Sequence, residues 1–120
     1  MSISKRILII DDDLTALDIV QMLFEDAGFE VDRCTSGTSA LSYLDAQTSD
    51  VILVDLMMPH MNGQELVAFI RERGWGGPIV AFTAVDDPVI HAEAIAAGCT
   101  VVLTKPCRAT DLVDRVKRLL

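Results

Sequence analysis

The sequence predicts an α/β fold, a doubly wound five-stranded parallel sheet with five helices on its two faces. Short apolar runs of strand length alternate five times with helix-period segments. One run, Val51-Ile-Leu-Val54, is apolar at every position, as a strand covered on both faces must be. Three runs also end directly on residues that carry chemistry: Ile10 on Asp11-Asp12-Asp13, Val54 on Asp55, and Thr104 on Lys105-Pro106.

Taken in order, Arg6–Ile10 is the first strand. Apolar residues at 14, 17, 20, 23, 24 and 27 predict a helix over Leu14–Ala27, stopped by Gly28. Phe29–Cys34 alternates apolar and polar residues, the pattern of an edge strand with one wet face. A second helix opens at Ser36 or Gly37 and closes near Ala46, with Ala40, Leu41 and Leu44 inward. Asp50–Val54 is the central strand, followed by turn signals at Pro59 and Asn62-Gly63.

Gln64–Arg73 gives a third helix carrying Leu66, Val67, Phe69 and Ile70, broken by Gly74-Trp-Gly-Gly-Pro78. Ile79–Phe82 is the fourth strand and leads into Thr83-Ala84. Asp86-Asp87-Pro88 joins an acidic cap to a first-turn proline, which starts a fourth helix through Ala97, closed by Gly98. Thr100–Thr104 is the fifth strand, and Ala109–Leu119 the fifth helix, with Leu112, Val113, Val116 and Leu119 on one stripe. Right-handed crossovers then predict the flavodoxin-like strand order 2-1-3-4-5. The half-polar second strand falls at an edge. Strands one and three lie side by side, so Asp11, Asp12 and Asp55 share the crevice at the carboxyl edge where open α/β sheets bind ligands.

At 120 residues the chain is expected to form one domain, 1–120, without an internal linker. A net charge of −8 and a pI near 4.5 exclude a direct grip on a nucleic-acid backbone, which needs clustered Lys and Arg. No run approaches the roughly 18 apolar residues of a membrane span, and Met1–Arg6 lacks a signal-peptide core. A cytoplasmic location is expected. Cys34, Cys99 and Cys107 share no C-x-x-C and read as small hydrophobes, Cys107 being the one with possible access to the site. Asp13 reads as a helix N-cap, His60 and His91 as solvent-exposed, and Met57, Met58 and Met61 as packing.

Three carboxylates in one crevice repel, and a hard divalent cation relieves them. Mg²⁺ suits one or two carboxylates, a carbonyl and retained waters, with Mn²⁺ a possible substitute. A cation beside one exposed carboxylate suits phosphoryl transfer to that carboxylate. Asp55, alone on the central strand, is the candidate nucleophile. Asp11 and Asp12 are candidate metal ligands, Lys105 a candidate partner of the phosphoryl group, and Thr83 a candidate hydrogen-bond donor to it.

Leu8-Ile-Ile-Asp-Asp-Asp13, Asp55-Leu-Met-Met-Pro-His-Met-Asn-Gly63, Ala81-Phe-Thr-Ala84 and Leu103-Thr-Lys-Pro106 together resemble the receiver domain of two-component response regulators, over essentially the whole chain. The resemblance implies that Asp55 accepts a phosphoryl group from a sensor histidine kinase or a histidine phosphotransfer protein. It implies that Asp12 ligates Mg²⁺ directly and Asp11 through water, that Asp55 and the Met57 backbone carbonyl complete the protein ligands, and that Lys105–Pro106 is cis. It further implies a signalling phosphoacceptor that assists its own phosphorylation and dephosphorylation, is not a multiple-turnover enzyme, and acts on a downstream effector domain or protein, with homodimers possible.

One position departs from the family: three residues before Lys105, where a Tyr or Phe usually moves inward on activation, stands Val102. The rivals are a flavin mononucleotide binder, a phosphatase of the haloacid dehalogenase type, and a receiver-like module that docks without phosphorylation. The acidic first loop would repel a flavin phosphate. The phosphatase would need a second Asp where Met57 stands.

Overall fold

The strands β1 (Arg6–Ile10), β2 (Glu30–Cys34), β3 (Val51–Val54), β4 (Ile79–Thr83) and β5 (Val101–Thr104) form one parallel sheet in the order β2-β1-β3-β4-β5. The computed structural model describes residues 4–120. Residues 1–3, which begin both the expected 1–120 domain and the stretch read for a signal peptide, lie outside the described residues. Between the strands run α1 (Leu14–Asp26), α2 (Gly37–Ala46), α3 (Gly63–Glu72), α4 (Pro88–Ala97) and, last, α5 (Ala109–Lys117).

Alternation along the strands divides the core into two layers. Leu8, Ile10, Ile52, Val54 and Ala81 point to one face, where α2, α3 and α4 cover them with Ala40, Leu66, Ile70 and Ala94. Ile7, Ile9, Val51, Leu53 and Val80 point to the other, under Leu17 and Phe24 of α1 and Leu112 and Val116 of α5. Every residue of β3 is buried, the cost of placing it between two helical layers being met by its all-apolar sequence.

Register decides what happens at the carboxyl edge. Ile10 pairs with Val54 on one side and with Cys34 on the other. The ladder continues one step further, with the Asp55 N–H donating to the Ile10 carbonyl at 3.0 Å and the Asp11 N–H to the Cys34 carbonyl at 3.1 Å. Asp11 and Asp55 therefore leave the sheet side by side.

Helix starts follow the expected chemistry. The Asp13 carboxylate accepts from the N–H groups of Thr15 and Ala16, and that of Asp87 accepts from Val89 before the first-turn Pro88. Asn62 and Glu65 form a reciprocal capping box at α3. Boundaries differ from expectation where a local bond competes with the ladder. Phe29 was expected to open β2, but its N–H closes the end of α1 on the Phe24 carbonyl at 3.0 Å, and its ring meets Phe24 edge-on. Thr83 joins β4, opposite Thr104, and its carbonyl accepts from the Lys105 N–H. Leu14, counted on the inner stripe of α1, is exposed, because the first helical residue stands beyond the end of β1.

At the amino edge the Arg71 guanidinium donates to the carbonyls of Trp75, Gly77 and Gly98 and stacks 5.7 Å from the Trp75 ring centroid. This one side chain ties the end of α3 to the two turns that follow it.

Candidate functional site

β1 and β3 supply the acid side of the crevice. Asp11, Asp12 and Asp55 each offer one carboxylate oxygen, and these oxygens lie within 4.8 Å of one another. Asp11 is 7% exposed and Asp12 is open to solvent. The Asp11 Oδ1 accepts from the Asp13 N–H at 2.9 Å, while its Oδ2 faces Lys105 Nζ at 3.4 Å. The Asp55 Oδ1 accepts from the Met57 N–H at 3.1 Å, which turns the carboxylate so that Oδ2 faces Lys105 Nζ at 3.8 Å. Lys105 reaches the crevice from the end of β5, where the Lys105–Pro106 peptide bond is cis, and its Nζ also lies 5.2 Å from the Phe82 ring centroid.

One ammonium cannot neutralise three carboxylates. Burial raises the pKa of Asp11 above the ordinary carboxylate value, and the neighbouring Asp55 charge adds to it, against the opposing pull of the Asp13 N–H and Lys105. The spacing fits a small hard cation: opposite oxygens of a Mg²⁺ octahedron stand roughly 4.2 Å apart at about 2.1 Å per bond. The three carboxylates, one of them exposed enough to leave room for retained water, match that demand.

Thr83 ends β4 and is fully buried, its Oγ1 accepting from the Val85 N–H at 3.2 Å. Met57 presents its side chain to solvent. It borders a groove of about 430 Å³ beside the acid cluster, whose walls include Leu56, Met58, Pro59, Val85 and Ile90. Val102 is half-buried against the core on the α4 side of the sheet.

The expectation for His91 changes. His91 is not a solvent-exposed side chain: it is half-buried, and its ring Nε2 meets the Val85 carbonyl. A histidine in a helix carries no sequence signal for a contact with a carbonyl six residues back. Only the tilt of helical side chains toward the N-terminus hints at it. Of the cysteines, Cys34 and Cys99 are buried and Cys107 half-buried. Burial pushes the Cys99 thiol up to about 11. His60 is exposed, as expected, and turns the chain with φ 69°.

A single ammonium facing an acid cluster at the switch point of a 2-1-3-4-5 sheet is the mark of the signalling domains that take up phosphoryl groups. The chain matches the response regulator receiver domain over residues 7–117 and belongs to that family. It is 34% identical to the regulatory protein VanRB of Enterococcus faecalis over 98% of this chain and 53% of that protein. It is 30% identical to the alkaline phosphatase synthesis transcriptional regulatory protein SphR of Synechococcus elongatus, over 98% of this chain and 49% of that one. The chain thus spans about half the length of these relatives. Among solved structures, the chemotaxis protein CheY4 of Vibrio cholerae superposes with a TM-score of 0.93 at 31% identity, covering 98% of this chain and all of that one. The chain is therefore a receiver domain of two-component signalling, and that family is one of signalling phosphoacceptors rather than classical enzymes. Among the described residues, no helix is long and apolar enough to cross a membrane.

Proposed function

We propose that Asp55 is the residue that takes the phosphoryl group, from a sensor histidine kinase or a histidine phosphotransfer protein. The Asp55 carboxylate displaces the phosphohistidine nitrogen at phosphorus, so that an acyl phosphate forms as the N–P bond breaks and the imidazole is released. The Met57 N–H holds the carboxylate in a fixed orientation. Lys105 Nζ meets negative charge on the incoming group, and the Thr83 hydroxyl donates to one of its oxygens once β4 and the following loop adjust. Asp11, Asp12, Asp55 and the Met57 carbonyl would hold Mg²⁺, or Mn²⁺ in its place, which when bound neutralises charge on the phosphoryl oxygens. The same residues assist hydrolysis of the acyl phosphate. The resulting change is passed to a downstream effector domain or protein in the cytoplasm, or to a second copy of the chain in a homodimer.

The observation that carries this reading is the convergence of three carboxylates at the ends of β1 and β3, two of which, Asp11 and Asp55, face Lys105. Incubation with acetyl phosphate and Mg²⁺ should add one phosphoryl group, seen by intact mass. Chelator should abolish it, and so should Asp55→Asn, which keeps the side chain's size. Labelling of the folded variant at the wild-type rate would overturn the assignment.

A further inference from the structure

Val85 is held from both sides. Its N–H donates to Thr83 Oγ1 at 3.2 Å, and its carbonyl lies against His91 Nε2 at 2.5 Å. A carbonyl can only accept, so the proton sits on Nε2, and the ring is the donor. His91 belongs to the first turns of α4, with its own N–H donating to the Asp87 carbonyl at 3.0 Å. Ring and helix therefore form one unit, gripping a loop residue two positions beyond Thr83.

Burial of Thr83 gives this grip a consequence. Thr83 is 0% exposed, so neighbouring atoms close it off from solvent. The Thr83 hydroxyl is thus covered in this arrangement, and a phosphoryl oxygen arriving on Asp55 meets it only when the atoms that cover it give way. Bringing the two together requires the end of β4 and the loop after it to move. Two hydrogen bonds at Val85 oppose that movement: its N–H donates to Thr83 Oγ1, and its carbonyl accepts from His91 of α4. Val102, with no ring to swing, offers no aromatic alternative for transmitting the change.

We propose that His91 is a positioning residue that latches the Val85 carbonyl in the resting state, withholding Thr83 from the phosphoryl group and coupling its release to α4. This rests on the phosphoacceptor reading of Asp55. An interaction made in the resting state and lost in the activated one lowers affinity for whatever selects the activated state, by linkage. Because Val85 and Ile90 also line the groove beside Met57, release of the latch reshapes that wall.

The test uses beryllofluoride with Mg²⁺, a mimic of the acyl phosphate. His91→Phe keeps a ring and removes the donor. His91→Gln keeps an N–H at a similar reach. His91→Phe should bind beryllofluoride about 2- to 10-fold more tightly than wild type, the range one neutral hydrogen bond supports, while His91→Gln stays near wild type. In wild-type protein the imidazole nitrogen spectrum should show Nε2 protonated and hydrogen-bonded at rest, with that bond lost on beryllofluoride binding, a readout that does not depend on any variant folding. Unchanged or weaker binding by His91→Phe, or a His91 signal that beryllofluoride leaves untouched, overturns the latch while leaving the Asp55 reading intact. Failure of wild-type protein to bind beryllofluoride overturns both.

Discussion

Gly63 and Gly37 are both first residues of helices, and their replacement by alanine should have opposite outcomes. A Cβ built on Gly63 would lie 2.6 Å from the Leu56 Cα and 2.7 Å from the Asp55 carbonyl oxygen. Good carbon packing needs ~3.5–4.0 Å, so backbone must yield by about 1 Å. Neither neighbour is free to do so: the Gly63 N–H already donates to the Leu56 carbonyl at 3.0 Å, and the Asp55 N–H is tied to β1. Overpacking of this kind costs about 1–3 kcal/mol, offset by up to ~1 kcal/mol from replacing glycine in a helix. The net loss of roughly 1–2 kcal/mol lowers the melting temperature by about 3–10 °C for a chain of this size. A Cβ on Gly37 meets Met61 instead, at 2.5 Å from Sδ, the far end of a flexible side chain. Met61 can rotate away, so Gly37→Ala should stay within about 0.5 kcal/mol of wild type. The displaced helix in Gly63→Ala also shifts the turn that carries Asp55 and Met57, and sites lose fit beyond ~0.5 Å. Mg²⁺ affinity, by calorimetry, should therefore fall several-fold in Gly63→Ala and hold in Gly37→Ala. Equal melting temperatures and equal Mg²⁺ affinities for the two variants would refute the reasoning.

The raised pKa of Asp11 means that, between the ordinary carboxylate value and its folded value, the native state binds more protons than the unfolded chain. Stability from this group is thus full below the ordinary value and is lost as pH rises through the folded one. In chelator at neutral pH, Asp11→Asn should melt above wild type and show a flatter decline with pH, and a lower melting temperature would contradict this. Lys105→Arg should not restore phosphorylation-dependent change, because a planar fork replaces a compact ammonium that stands 3.4 Å from Asp11 and 3.8 Å from Asp55. Near-normal response of that variant to beryllofluoride by hydrogen exchange would count against it. Trp75 lies between α3 and β4 at the amino edge, and the four residues of β3 at roughly 3.3 Å each put it some 13 Å or more from the site. Mg²⁺ should leave Trp75 emission nearly flat while calorimetry detects binding, and strong quenching by Mg²⁺ would contradict the placement.

The sheet was legible because its information is local and periodic. The unbroken apolar run of β3 and the alternation in β2 follow from which face water can reach, and the glycine stops at 28, 74 and 98 from the positive φ that all three adopt. The acid cluster was legible for a related reason: a parallel sheet delivers strand ends to one edge, so residues distant in sequence meet there without any further signal. What the sequence does not signal depends on side-chain reach. The Arg71 contacts to three carbonyls, and the Tyr43 hydroxyl that donates to Asp32 beside Arg6, leave no periodic trace, since arginine and tyrosine on a helix look the same whether solvated or engaged. His91 is the same case, and the one that matters most, because its partner is a backbone carbonyl, which every residue has.

Locating the phosphoryl group on the chain tests the account most directly. After reaction with acetyl phosphate and Mg²⁺, reduction by borohydride converts an aspartyl phosphate into an alcohol that peptide mapping assigns to a residue. The modified position should be Asp55 alone, with the signal absent when Mg²⁺ is chelated. Reduction at Asp11 or Asp12, or a fully folded wild-type protein that yields no reducible acyl phosphate, would contradict the assignment of Asp55 as phosphoacceptor.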